Sequence, residues 1–201
     1  MIIHRFYVRH SFKRFPVAEL VPAAVFLAAK VEEHPRKLRE LLEKSQETGP
    51  LAIKEGISET DGRVQRERVF TLERIILQTL CFDLAITHPY RFVFRLVKQL
   101  SSVPDELVQS AWIVVNDSFR TSLCIRFEAE TIAVGAIHLA AERSQLHWDA
   151  LQSKGDVDPL FGQTKTAVDG KVLSYPFVVE VVAVMKRLYS GNLFPKEAVK
   201  H

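Results

Sequence analysis

From Leu20 to Arg39 the chain reads LVPAAVFLAAKVEEHPRKLR, and its polarity changes abruptly at Lys30. Val21 to Ala29 carry no charge, and the alanines let neighbouring helices approach closely. The stretch therefore predicts a helix buried on most sides, at the centre of a bundle. Lys-Val-Glu-Glu follows, and His34-Pro35 ends the helix, because the residue before a proline is steered out of the helical region. Two readings of Lys30 stand side by side. Its long side chain snorkels from a helix C-terminus, where its charge suits the macrodipole, or it points into a groove and donates to another protein's backbone carbonyls.

The same patterning reads helices along most of the chain. Met1 to Lys13 places Arg5, Arg9 and Lys13 at four-residue steps, an arrangement usually solvated. This helix has no cap or lead-in, as though something should precede it. Phe15-Pro16 marks a turn, and Pro22 either kinks the central helix or opens it. Arg36 to Lys44 is a short amphipathic helix on Leu38, Leu41 and Leu42, and Ser45 to Gly62 reads as a loop with a possible turn at Leu51 to Lys54.

Arg63 to Phe82 is a second informative helix, with Val69, Phe70, Leu72, Ile76, Leu77 and Leu80 on one broad face. Glu73 falls in the middle of that face. A carboxylate buried there needs donors, since leaving it unpaired costs several kcal/mol. An internal salt bridge, a less regular helix, or a pairing with Lys30 across a groove that leaves Glu73 to accept a partner's N–H groups each meet that need.

Beyond Asp83 to Thr87, helices are expected over Tyr90 to Leu100, from Pro104 to about Arg120, over Glu128 to Arg143 and over Tyr175 to Tyr189. The last is read as a helix despite its valines, because no partner strand is evident. Ser144 to Lys171 is polar, with one helical candidate around Trp148 and Leu151, and Gly191 to His201 is a tail. Ala24-Val25-Phe26-Leu27-Ala28-Ala29 aligns with Ala136-Ile137-His138-Leu139-Ala140-Ala141 at an offset of 112 residues, which suggests a duplicated helical unit. Lys30 corresponds to Glu142, so only the first copy keeps the cation.

Composition narrows the function classes. Hydrophobic residues at 47% and charged residues at 25% are ordinary globular values, and no apolar run approaches the roughly 20 residues of a membrane span. Cys81 and Cys124 lie apart among apolar residues, as buried free thiols of a reducing compartment would. The net charge of +3 is small, and its excess is local: residues 1–45 hold nine Lys/Arg against five Asp/Glu. No phosphate loop, dinucleotide fingerprint, zinc-protease motif or nucleophile elbow occurs, so neither an enzyme nor a cofactor or metal is indicated. His138 reads as a satisfied core residue.

LAAKVEEHPRKL around Lys30 resembles the first cyclin box of the cyclin T group. HSFKRFP, LERIILQT, FDLAITHPY, VNDSF and IAV resemble cyclin K. The resemblance to transcriptional cyclins implies an all-α cyclin fold of two tandem boxes, the first over 1–87, the second over 88–190, with 191–201 a tail. The family has at least one more helix before the point that resembles Met1. The first box is thus expected to be incomplete, through a truncated gene model or a real loss. Trp148 stands alone where many relatives have paired tryptophans.

The implied function is a nuclear regulatory subunit that binds and activates a cyclin-dependent kinase phosphorylating the C-terminal repeat domain of RNA polymerase II during elongation. By resemblance, Lys30 and Glu73 would hydrogen-bond kinase backbone, and Leu27, Val31 and Leu77 would contact kinase side chains. No small-molecule substrate is implied. The alternatives are a nucleic-acid-binding factor of the same fold, resembling transcription factor IIB, or a degenerate cyclin-box scaffold. The first needs a broad basic surface over both repeats, which the near-neutral charge after residue 45 argues against.

Overall fold

The computed structural model describes residues 1–48, 59–99, 103–144, 166–168, 171–173 and 175–191. They form two compact units, Met1–Ile86 and Thr87–His201, each with its own core. The helical candidate around Trp148, the turn at Leu51 to Lys54, Leu100 and the tail beyond Gly191 lie outside the described residues.

In the first unit, α1 (Ile2–Tyr7), α3 (Leu38–Thr48) and α4 (Glu59–Thr79) pack against α2 (Val17–Val31). Leu20, Ala23, Ala24 and Leu27 of α2 meet Val69, Leu72, Ile76 and Leu80 in one buried cluster with Ile2 and Phe6. Pro22 does not open α2, which starts five residues earlier; it sits inside the helix, buried, and forgoes the bond to the Ala18 carbonyl. The helices at residues 45–48 and 59–62 occupy ground expected to be loop: Gly62 lies within α4. A single glycine costs a helix only about 1 kcal/mol.

Two further expectations fail here for tertiary reasons. The first helix stops at Tyr7 instead of reaching Lys13; Arg9 and Lys13 are exposed as expected, and Arg5 is partly buried. Arg9 Nη1 donates to the Thr79 carbonyl (2.9 Å), and Arg5 donates to the Asp83 carbonyl (2.8 Å) and Oδ2 (2.7 Å). They thereby satisfy carbonyls in and just beyond the last turn of α4, where cations also suit the helix dipole. Cys81 is exposed, not buried, because it stands at the left-handed position that ends this helix (φ 53°), while Cys124 is buried as expected.

α2 and α4 end alike. His34 N–H donates to Ala29 O (2.9 Å) and Glu33 N–H to Lys30 O (3.2 Å). Phe82 N–H donates to Leu77 O (3.0 Å) and Cys81 N–H to Gln78 O (3.1 Å). Both are Schellman closures, with non-glycine Glu33 (φ 56°) and Cys81 where glycine is usual. Lys30 and Leu77 therefore sit in the final turns of their helices, held by bonded backbone.

In the second unit, α5 (Pro89–Gln99), α6 (Asp105–Ser118), the short α7 (Leu123–Arg126) and α9 (Tyr175–Tyr189) pack against α8 (Ala129–Arg143). All of α8 from Glu130 to Ala141 is buried except half-buried His138. Gly135 is required by a close approach: a Cβ there would lie 2.6 Å from Val181 Cγ1. Contrary to the expectation of no strand pair, Thr166–Val168 (β1) pairs antiparallel with Lys171–Leu173 (β2). Asp169-Gly170 between them is the sequence signal for a tight hairpin. Apart from this hairpin, every regular element among the described residues is helical.

Candidate partner-binding site

α2 supplies Phe26 and Lys30, one turn apart; α4 supplies Phe70, Glu73 and Leu77, successive positions of one stripe. The packing of α2 on α4 brings the two sets together. Lys30 Nζ donates to both carboxylate oxygens of Glu73, at 2.7 Å to Oε1 and 2.9 Å to Oε2. The same ammonium lies 4.0 Å from the centre of the Phe26 ring, within cation–π range. Phe26 in turn meets Phe70 with centroids 6.0 Å apart and planes at 61°.

The pair is unequal in exposure. The Glu73 side chain is 11% exposed and that of Lys30 44%. A nearly buried carboxylate is tolerable only when paired, and Lys30 fills that need from the rim. Glu73 spends two acceptor positions on it. The ammonium has three N–H groups and gives two to Glu73. On a half-exposed side chain at a helix end, the third can reach a carbonyl brought from outside the chain.

Of the expected neighbours, Leu27 is 3% exposed and forms packed floor, so it shapes the site more than it offers area. Val31 and Leu77 are half-buried against the same core and flank the pair. Phe70, which the helical period puts with the buried face, is 51% exposed. It lies at the rim of that face, where a neighbouring helix decides burial. Phe82, just past α4, is 67% exposed. An aromatic at a stripe edge was the only available signal for Phe70, and nothing in the periodicity singles out Phe82.

Among the described residues, no group of three His, Cys, Asp or Glu side chains is placed to hold a metal ion. No described helix is long and apolar enough to cross a membrane. The site is thus made of an ion pair, an aromatic pair and aliphatic flanks, an arrangement suited to holding another chain.

Residues 1–85 match the family described as the cyclin N-terminal domain. Over 156 residues, 75% of this chain and 36% of the relative, the sequence is 40% identical to Cyclin-K of Danio rerio. It is 37% identical to Cyclin-T1-4 of Arabidopsis thaliana over 143 residues, 69% of this chain and 26% of that protein. With cyclin pch1 of Schizosaccharomyces pombe the identity is 29% over 200 residues, 98% of this chain and 55% of that one. The chain spans about a third of the length of the Danio Cyclin-K it matches. The ion-paired α2–α4 surface lies inside the matched residues, and those residues belong to the cyclin family as its N-terminal domain.

Proposed function

We propose that this chain is the regulatory subunit of a nuclear cyclin-dependent kinase of the transcription-elongation type, and that it activates the kinase toward the C-terminal repeat domain of RNA polymerase II. The observation that carries the reading is the Lys30–Glu73 pair, fixed at 2.7 Å on an exposed edge with a donor to spare. Its surroundings are similar to Cyclin-K and Cyclin-T proteins. Lys30 and Glu73 would grip kinase backbone, Val31 and Leu77 would cover the grip from the sides, and Leu27 would set its depth. Residues 88–190 are read as a second cyclin box, on the strength of the aligned Ala24–Ala29 and Ala136–Ala141 segments and the central place of α8 among the helices of the second unit.

A kinase assay tests the activity. A recombinant elongation-type catalytic subunit is given a polymerase repeat peptide with and without saturating chain. The reading expects phosphorylation to rise by at least about an order of magnitude, the scale on which completing an ion-paired, correctly set kinase site acts. No rise at saturation contradicts it.

A further inference from the structure

A half-exposed phenylalanine on a soluble helix needs no explanation by itself, since single apolar side chains are scattered over most protein surfaces. Phe70 differs in three observable ways. Its ring is held at an angle against Phe26. Phe26 carries the Lys30 ammonium on its face. Phe70 also shares its stripe of α4 with Glu73 and Leu77. Ordering costs already met in the free protein are not met again on binding, so an aromatic ring fixed beside a charge pair has the character of an interface anchor.

Resting on the kinase-binding reading above, we infer that Phe70 is a specificity-determining anchor of the site, and that it receives an apolar side chain of the kinase close to the backbone carbonyl that Lys30 receives. The geometry sets the reach. Steps of 4.0 Å from the ammonium to the Phe26 ring and 6.0 Å from there to the Phe70 ring place Phe70 at most 10 Å from the charge. An extended segment advances about 3.3 Å per residue, so one short stretch of partner touches both. The carbonyl contact accepts any residue, since every residue has one. The Phe70 contact does not, and it lets the surface distinguish partners with an apolar side chain at that spacing from those with a charge there. Covering Phe70 also removes water beside the ion pair, the ring-of-contacts arrangement around a polar hot spot.

The test titrates the parent chain, Phe70→Ala, Phe70→Leu and Lys30→Ala against a recombinant elongation-type catalytic subunit. Thermal melts of each free variant establish that it is folded at the titration temperature. Phe70→Ala is expected to weaken binding by about tenfold or more, the range of an aromatic interface residue, and Phe70→Leu, which stays apolar, by less than about threefold. Lys30→Ala should weaken it as well. If Phe70→Ala binds like the parent while Lys30→Ala is weakened, the anchor is overturned and the kinase reading stands. If Phe70→Leu falls as far as Phe70→Ala, apolarity is not what is read and the anchor is equally overturned. If Lys30→Ala also binds like the parent, the site itself is wrong and Phe70 with it.

Discussion

Residue for residue, Ala24–Ala29 of α2 aligns with Ala136–Ala141 of α8, yet Val25 is 48% exposed where its counterpart Ile137 is 2% exposed. α2 is the more apolar of the two helices and yet the less buried; what differs is the company each keeps. α8 is packed by α5, α6, α7 and α9 and is buried almost all round, whereas among the described residues α2 is packed by α1, α3 and α4 and keeps an open edge. The charged ends diverge in the same sense. Glu142 pairs with Lys186 of α9 at 2.7 Å, with side chains 47% and 51% exposed. In the first unit the acid of the pair is nearly buried. An ion pair exposed at both ends contributes at most about 1 kcal/mol. A pair with one end buried cannot be broken without stranding that charge, and this difference makes the first unit's pair a fixed fixture that a partner can use.

The widest separation between the helices should appear on truncating the aligned pair. Ile137→Ala removes a fully buried side chain and should cost about 2–5 kcal/mol. Val25→Ala removes one already half in water and should cost under about 1 kcal/mol. Amide hydrogen exchange, read separately over α8 and α2, measures each cost in its own unit. Equal losses would mean that the two helices are equally enclosed and would break the comparison.

A smaller effect separates the aligned pair Phe26 and His138. Burial pushes the His138 imidazole below its ordinary value of 6.5; among its neighbours, Glu142 pulls it up and Lys186 pushes it down. A group whose charged form is disfavoured in the fold contributes its full stability above the unfolded value and loses it as pH falls from there toward the folded value. The second unit should therefore weaken as pH drops below about 6.5. His138→Phe, which copies the first unit's residue, should reduce that acid-side loss. Melting the parent and variant between pH 7.5 and pH 5 checks this, and an identical pH dependence would remove His138 from the account.

How much of this was legible beforehand divides along physical lines. The burial of the Ala-rich helices and the stranded position of Glu73 follow from a period of 3.6 residues, so both could be read directly, and the need of Glu73 for a cation pointed to Lys30 as one of several solutions. Properties that depend on which helix covers which edge could not be read. Phe70 lies at the rim of its face, and only the placement of α2 shows that its ring stays in water against Phe26. That Arg5 and Arg9 of the basic stripe also bond carbonyls at the end of α4 shows only once that end is known to lie beside them. Cys81 looks buried by its apolar neighbours, but it is itself the left-handed residue that closes α4 and is exposed there. The strands at 166–168 and 171–173 are too short to show a period at all.

The central claim is that the first unit's charge pair grips the kinase and the second unit's does not. It is tested most directly by one calorimetric titration series: parent, Lys30→Ala, Glu73→Ala, the double variant and Glu142→Ala, each against the same elongation-type catalytic subunit at a temperature where all are folded. Each single change in the pair should cost roughly 2–5 kcal/mol of binding, a loss of some thirtyfold to a few thousandfold. The double variant should lose much less than the sum, because the two side chains act as one unit. Glu142→Ala should bind within about threefold of the parent, as a rim charge outside the interface would. If Lys30→Ala and Glu73→Ala both bind like the parent, the pair only holds α2 to α4 and the kinase is bound elsewhere.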